Sequence, residues 1–409
     1  MSKGCVIFFM AVLIAAFSIP STTAAHGVNA HMWATDKAIG MITESGLVEL
    51  VSDQSARDAM VLGALFPDTG YAIDAPYGEP AHWEPFATAS IDYLKKNFIP
   101  ADTVEKKKVV AFFLGAFTHG IEDEVFDTLF ITASEQHDGV GQEFLDMNLD
   151  AFLIADGHAT PKPPIFLPAT DAVAIFTNMG VPSTVEQMQA GMDKTVNFAV
   201  DGLRAIAKEV AAGSRSKAPW TAKHYLDPNV GGTFSMESVV VARFLDFSWR
   251  RLTDTSVANG IYVSKFPDDG QGIRSLKTGD QESWMSIFTG EGIDDRDITK
   301  DRIRLYSAGT EIAADISRNR WSSGNGESRL FVVKPATDLV ADSEYTVEVA
   351  SGTRLYDGRA TDQKFTATFT TRAPKDGGTG DGGAVSDGGA DGGGHSGSTG
   401  CSCAVIGLE

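Results

Sequence analysis

Val110-Ala-Phe-Phe-Leu-Gly-Ala-Phe-Thr-His119-Gly-Ile-Glu-Asp123 is the stretch on which the reading of this chain turns. Around it, Val109, Val110, Phe112, Phe113, Phe117, Ile121, Val125, Phe126 and Leu129 recur at helical spacing across residues 104–130. An apolar face that broad predicts a buried central helix. His119 and Asp123 stand four residues apart on it, so both side chains leave one face a turn apart. Imidazole nitrogen and carboxylate oxygen are the donors that hold zinc and related divalent metals. A rigid buried helix with such a pair can anchor a metal whose other ligands arrive from separate segments.

Working outward, those segments follow in order. His31 precedes Gly63-Ala-Leu-Phe-Pro-Asp68, then His82-Trp-Glu-Pro-Phe-Ala-Thr-Ala-Ser-Ile-Asp-Tyr93, and after the central helix come Asp127, His137 and Glu143. Six of the eight histidines lie between His26 and His158, which concentrates metal-binding capacity in one part of the chain. His158 and His224 have no such order of partners and read as structural. Glu122 and Glu124 read as a solvated face or as carboxylates supporting the ligands. Trp83 and Phe86 read either as pocket lining or as packing.

The N-terminus reads as a secretory signal over residues 1–25. Lys3 supplies a basic start, Val6 to Phe17 is nearly all apolar, and the small residues Ser21 to Ala25 follow. The run is short and wrongly flanked for a membrane span. Cleavage after Ala25 would leave His26 first; cleavage after Ala30 also fits the small-residue rule. About 380 residues then remain, enough for two sizeable cores. The formal charge of −20 argues against non-specific binding to nucleic acid and against electrostatic docking on an anionic membrane. Cys5 sits in the signal, and Cys401 and Cys403 sit near the C-terminus, so the folded part must be held without disulfides.

Residues 26–258 read as helical. A capping box at Ser183-Thr184-Val185-Glu186 precedes a helix running to about residue 212, 236–252 is another helix, and Pro161 to Pro168 is a loop. Residues 259–372 change to short β-rich runs at Ile261 to Phe266, Arg302 to Tyr306, Arg329 to Val333, Tyr345 to Val349 and Lys364 to Thr371. That rhythm suggests a β-sandwich. Residues 373–409 are rich in Gly and Asp, a composition that predicts a disordered tail. Gly400-Cys-Ser-Cys403 resembles the start of a surface-sorting tag; equally, it reads as an unstructured end with incidental cysteines.

The ordered segments of the first half resemble the zinc-dependent phospholipase C family, and within it the catalytic domain of glycosylphosphatidylinositol-specific phospholipases D. The run from Lys334-Pro335 through Tyr345-Thr-Val-Glu-Val349 to Phe369-Thr-Thr371 resembles a bacterial Ig-like module. The fold class this implies is an all-α catalytic domain of the phospholipase C/nuclease type followed by a small Ig-like β-sandwich. The second module would serve spacing or attachment rather than chemistry.

The resemblance also implies a cluster of three zinc ions, at least two of them carried over with the residues. One would take Asp68, His82, His119 and Asp123. A second would take the free amino group of His26, His31 and a bridging Asp123. For the third the family has a histidine where this chain has Asp127; His137, Glu143 and Asp138 would complete it. Asp68 would double as general base. A bound zinc lowers the pKa of its water toward about 7 and neutralises the phosphodiester's charge. The expected activity is that of a secreted or surface-attached phosphodiesterase, a monomer touching membrane lipid peripherally, with phospholipid or glycolipid as substrate and no nucleic-acid partner. A single-strand-specific zinc nuclease and a non-catalytic surface or adhesion protein are the alternatives.

Overall fold

The structure is a computed structural model and describes residues 27–253, 261–319 and 326–372. The signal peptide, His26, the Gly/Asp-rich tail and both C-terminal cysteines lie outside the described residues.

The first half is helical. Helix α1 (Val28–Ile39) leads to α2 (Ser45–Ser52) and α3 (Gln54–Gly63), then to the short α4 (Phe66–Ala72) and α5 (Gly78–Ala81), and to α6 (Glu84–Asn97). Helix α7 (Val104–Val125) is the central element, its residues from Val109 to Ile121 almost wholly buried. It runs on through a π-helical turn (Phe126–Ile131) into α8 (Thr132–Asp138). Then come α9 (Gln142–Ala155), α10 (Ala169–Asn178), α11 (Val185–Lys194), a second π stretch (Thr195–Gly202), α12 (Leu203–Ser214), α13 (Pro219–His224) and α14 (Phe234–Thr253). The capping box is present one residue later than the sequence suggests. The Thr184 hydroxyl accepts from Gln187 N, and the Gln187 side chain accepts from Thr184 N. Residues 161–168 form the expected loop.

The close packing of α3 along α7 has a local cause. A Cβ at Gly63 would collide with the Phe112 carbonyl oxygen, and one at Gly115 with the Met60 carbonyl oxygen. Two glycines therefore let two helix backbones touch, and that approach sets up the site described below.

The second half corrects the expected fold class. It holds two four-stranded antiparallel sheets, neither closed, in the orders β1-β2-β6-β5 and β4-β3-β7-β8. The first comprises β1 (Tyr262–Phe266), β2 (Met285–Asp294), β5 (Ala314–Arg318) and β6 (Glu327–Pro335). The second comprises β3 (Ile303–Ser307), β4 (Thr310–Ile312), β7 (Glu344–Val349) and β8 (Phe365–Thr370). One face of the first sheet meets the second across Ile287, Phe331, Val333, Leu305, Val347 and Phe369. Its other face supplies Phe288, Leu330 and Val332 to the same apolar core as Phe112, Phe117 and Phe244 of the helices. Helices, first sheet and second sheet thus form successive layers, and the described residues up to Arg372 make one compact unit. An all-α domain followed by a separate Ig-like sandwich is not what the chain builds. The reason is that β2 is buried along its whole length, with helices on one side and a sheet on the other, so cutting the layers apart would expose it.

Among the described residues no helix is long and apolar enough to cross a membrane.

Candidate metal centre

Four elements converge on one buried point. His31 is fully buried on α1, Asp68 sits in the first turn of α4 just after Pro67, His82 caps the end of α5, and His119 and Asp123 project from α7. Pro67 is compatible with the start of α4 because its missing N–H would have no helical partner there.

Each imidazole is oriented through its Nδ1. His119 Nδ1 lies 2.6 Å from the Ala64 carbonyl oxygen and His82 Nδ1 lies 2.8 Å from the Gly78 carbonyl oxygen. A carbonyl only accepts, so Nδ1 carries the proton in both rings and Nε2 presents its lone pair. His31 Nδ1 lies 2.5 Å from Glu122 Oε2, while Glu122 Oε1 accepts from the Thr35 hydroxyl at 2.9 Å. Such outer partners fix ring orientation in metal sites. Ala64 can reach His119 because it directly follows Gly63, at the close approach of α3 and α7.

The Nε2 atoms gather with the two aspartates. His31 Nε2 is 3.3 Å from Asp123 Oδ1, and His119 Nε2 is 3.4 Å from Asp123 Oδ2 and 3.6 Å from Asp68 Oδ1. His82 Nε2 is 3.7 Å from both Asp68 Oδ1 and Asp123 Oδ2. Two groups, His31 with Asp68 and His119, and His82 with His119 and Asp123, each have ligand atoms within 4.8 Å of one another. The His31 and His119 rings stack with centroids 3.7 Å apart. Like-oriented lone pairs held this close make sense when a cation lies between them. The Nε2 atoms of His82 and His119 are buried and have no hydrogen-bond partner, which is costly unless a ligand satisfies them. Imidazole and carboxylate together suit zinc. These buried His and Asp groups could hold a metal ion.

Electrostatics agree with that fit. Burial alone would raise the Asp68 and Asp123 carboxyls. The His119, His82 and His31 imidazoles outweigh it, holding Asp68 well below the carboxylate range and Asp123 down at about 2. Burial would lower His31 and His82. For His31, Asp123 and Glu122 reverse it and carry the ring well above its usual value; for His82, Asp68 and Asp123 raise it. Acids surround the point. Glu237 is fully buried, and burial with the neighbouring Glu122, Asp123 and Asp127 pushes its carboxyl well up.

The residues expected for a third metal are spread out. Asp127 is buried in the π-helical turn but belongs to neither group. His137 is exposed and stacks on Trp220 with centroids 4.3 Å apart, while Asp138 accepts from the backbone N–H groups of Trp220 and Thr221. Glu143 is exposed in the first turn of α9. The carboxylate that does face the cluster is Asp146, which sequence reasoning passed over. Burial, Asp68, Asp123 and Asp150 push its carboxyl well up, and its Oδ1 is buried without a hydrogen-bond partner. One turn on, Asp150 accepts from Asn29 N and Ala30 N at 2.8 Å each, fastening the start of α1 beside His31. Burial raises Asp150 to about 6 despite those bonds. The i, i+4 spacing of Asp146 and Asp150 on α9 was the available signal.

The other residues singled out in the sequence are placed as follows. Glu122 and Glu124 are buried rather than solvated. Phe86 is core, and Trp83 donates its indole N–H to Glu79. His158 is exposed; His224 pairs with Asp227.

No family model matches the chain. It is 23% identical over 256 residues to the phosphatidylinositol-glycan-specific phospholipase D of Dictyostelium discoideum, covering 57% of this chain and 26% of that protein. Against the enzymes of the same name from Bos taurus and Rattus norvegicus it is 35% identical over 82 residues and 33% over 81, about 18% of this chain and 10% of each of theirs. The chain therefore spans about a quarter of the length of the first relative and a tenth of the others. Among solved structures, the N-terminal part of the bacterial S-layer protein SbsC aligns over 80% of the chain at 12% identity, with a TM-score of 0.21, too low to indicate a common fold. Over part of its length, then, the chain is distantly similar to phosphatidylinositol-glycan-specific phospholipases D.

Proposed function

We propose that this protein is a secreted zinc-dependent phosphodiesterase that hydrolyses phospholipids or glycosylphosphatidylinositol-type lipids. The observation that carries the reading is the convergence of three imidazole Nε2 atoms, each ring fixed through Nδ1, on Asp68 and Asp123. The distant similarity to lipid-cleaving phospholipases D supports the substrate class. The net charge of −20 argues against a polyanionic nucleic acid. Secretion rests on the sequence of residues 1–25.

His31, Asp68, His82, His119 and Asp123 would hold zinc, with Asp146 as a further ligand. When bound, zinc supplies a Lewis acid for a phosphoryl oxygen and acidifies water near neutral pH. The chain's own residues do the rest. Asp68 and Asp123 keep about a tenth of their side-chain surface exposed, 11% and 13%, so a substrate phosphate can approach from their side. Asp68, ionised by its imidazole neighbours, can accept a proton from the attacking water. Glu122 and the Ala64 and Gly78 carbonyls hold the rings still during turnover.

The test is the full mature chain, stripped and then reconstituted with zinc, assayed on a phospholipid and glycosylphosphatidylinositol panel with products identified by mass. Two to three zinc ions per chain, a melting temperature lowered by chelation, and zinc-dependent release of a head group are expected. The product masses report which P–O bond breaks. Elemental analysis finding no zinc after reconstitution would remove the reading.

A further inference from the structure

Strand β6 grips both elements that carry the metal ligands, and it belongs to the half of the chain whose sequence suggests only a spacer. Arg329 is only 1% exposed. Its Nε donates to Glu124 Oε1 at 2.9 Å and its Nη2 donates to the His82 carbonyl oxygen at 3.1 Å. The backbone N–H groups of Arg329 and Leu330 donate to Glu124 Oε2 at 2.9 and 3.1 Å. Glu124 follows Asp123 on α7. Two residues earlier on the strand, Glu327 Oε1 accepts from Glu84 N at 2.8 Å. The short run His82-Trp83-Glu84 is thus held at both ends by one strand. The same strand is tied to the helix of His119 and Asp123.

The backbone is shaped for this grip. The β2–β6 register breaks between Phe288 and Ile293, opposite the residues that reach out, and such irregularities commonly re-aim side chains beside functional sites. A Cβ at Gly292 would collide with Glu327 Oε2, and one at Gly120 would collide with the His82 carbonyl oxygen. Two glycines in separate halves of the chain therefore keep open the space this contact needs.

We infer that Arg329, aided by Glu327, is a positioning residue of the metal site: it ties His82 to the helix bearing His119 and Asp123, so that the β layer completes the centre. The inference rests on the metal reading proposed above. Partners of this kind behind metal ligands typically change metal affinity or activity 10- to 100-fold when removed.

The experiment uses the full chain and two variants. Arg329→Lys keeps a positive charge opposite Glu124, but a compact ammonium lacks the fork that spans Glu124 and the His82 carbonyl. The double variant Glu124→Leu with Arg329→Met removes both charges together, so no buried charge is left alone should the lysine variant fail to fold. Zinc affinity is read by chelator competition, metal-free melting by calorimetry, and amide exchange of residues 80–88 in the metal-free protein by mass spectrometry. The double variant is expected to fold, to bind zinc at least tenfold more weakly, and to exchange faster at 80–88 while α9 is unchanged. Arg329→Lys is expected to melt near the wild type yet still bind zinc several-fold more weakly. Wild-type zinc affinity in the double variant would overturn the inference, as would an affinity loss no larger than the loss in metal-free stability explains. Wild-type chain that binds no zinc would overturn the metal reading itself, and the exchange rates would then report the strand's grip on His82 separately.

Discussion

An imidazole has two nitrogens, and in His82 and His119 a carbonyl oxygen occupies one of them and thereby aims the other. The carboxylates they face decide the chemistry. Asp123 lies in ion-pair range of all three rings, so Asp123→Asn removes charge from the shared wall of both groups without changing size. Activity on a phosphodiester substrate is expected to fall by a factor on the order of a hundred or more, with zinc content lowered in elemental analysis. Full activity in that variant would show that Asp123 is not a shared ligand. Asp146 and Glu143 test the remaining acids on α9. Asp146→Asn is expected to weaken zinc binding about tenfold, and Glu143→Gln to leave it unchanged, both by chelator competition. The reverse outcome would restore Glu143 and remove Asp146. His31, Asp68, His82, His119 and Asp123 were legible in the sequence because each sits in a segment with its own signature or in an ordered series. Asp146 was not, because a single aspartate on an amphipathic helix looks the same whether it faces solvent or a buried site.

Helices were legible as elements because their apolar periodicity depends only on having one buried side. Strand β2 was not, since Thr289-Gly-Glu-Gly292 reads as a turn. Only the assembled layers show that Glu291 and the glycines lie buried between arginines, helices and β6. That burial makes Glu327 pH-sensitive. Desolvation raises its carboxyl; Arg329 opposes this, while Glu84 and Glu124 add to it, and the group reaches about 8. Unfolded, it titrates near 4.5. Between those values the folded chain holds a proton that the unfolded chain has lost, so this contribution to stability is full below pH 4.5 and disappears as pH rises through 8. Its slope is up to about 1.4 kcal/mol per pH unit. Glu327→Gln cannot ionise and should flatten the decline. Denaturant melts from pH 5 to 9 measure this, and parallel curves for the two proteins would contradict it.

At the scale of the whole molecule, the question is whether the helical half can stand without the sheets. Its sequence resembles that of a self-sufficient catalytic domain. In the structure, Phe288, Leu330 and Val332 are fully buried within the helical core, and each such side chain contributes about 1.5–3 kcal/mol by leaving water. Removing the sheets would also leave Glu124 buried on α7 without Arg329, next to Asp123. Net stabilities are of order 5–15 kcal/mol, so losses of this size are comparable with the whole. A chain ended at residue 258 is therefore expected to lack a cooperative thermal transition, to expose apolar surface to a fluorescent dye, and to bind no stoichiometric zinc. The chain extending to residue 372 is expected to unfold in one transition, because its layers share one core. Calorimetry with dye binding on both chains decides it. A soluble 258-residue chain that melts cooperatively and takes up zinc would show that the β layer is an attachment after all. The grip of Arg329 on His82 would then be a contact that the centre can lose.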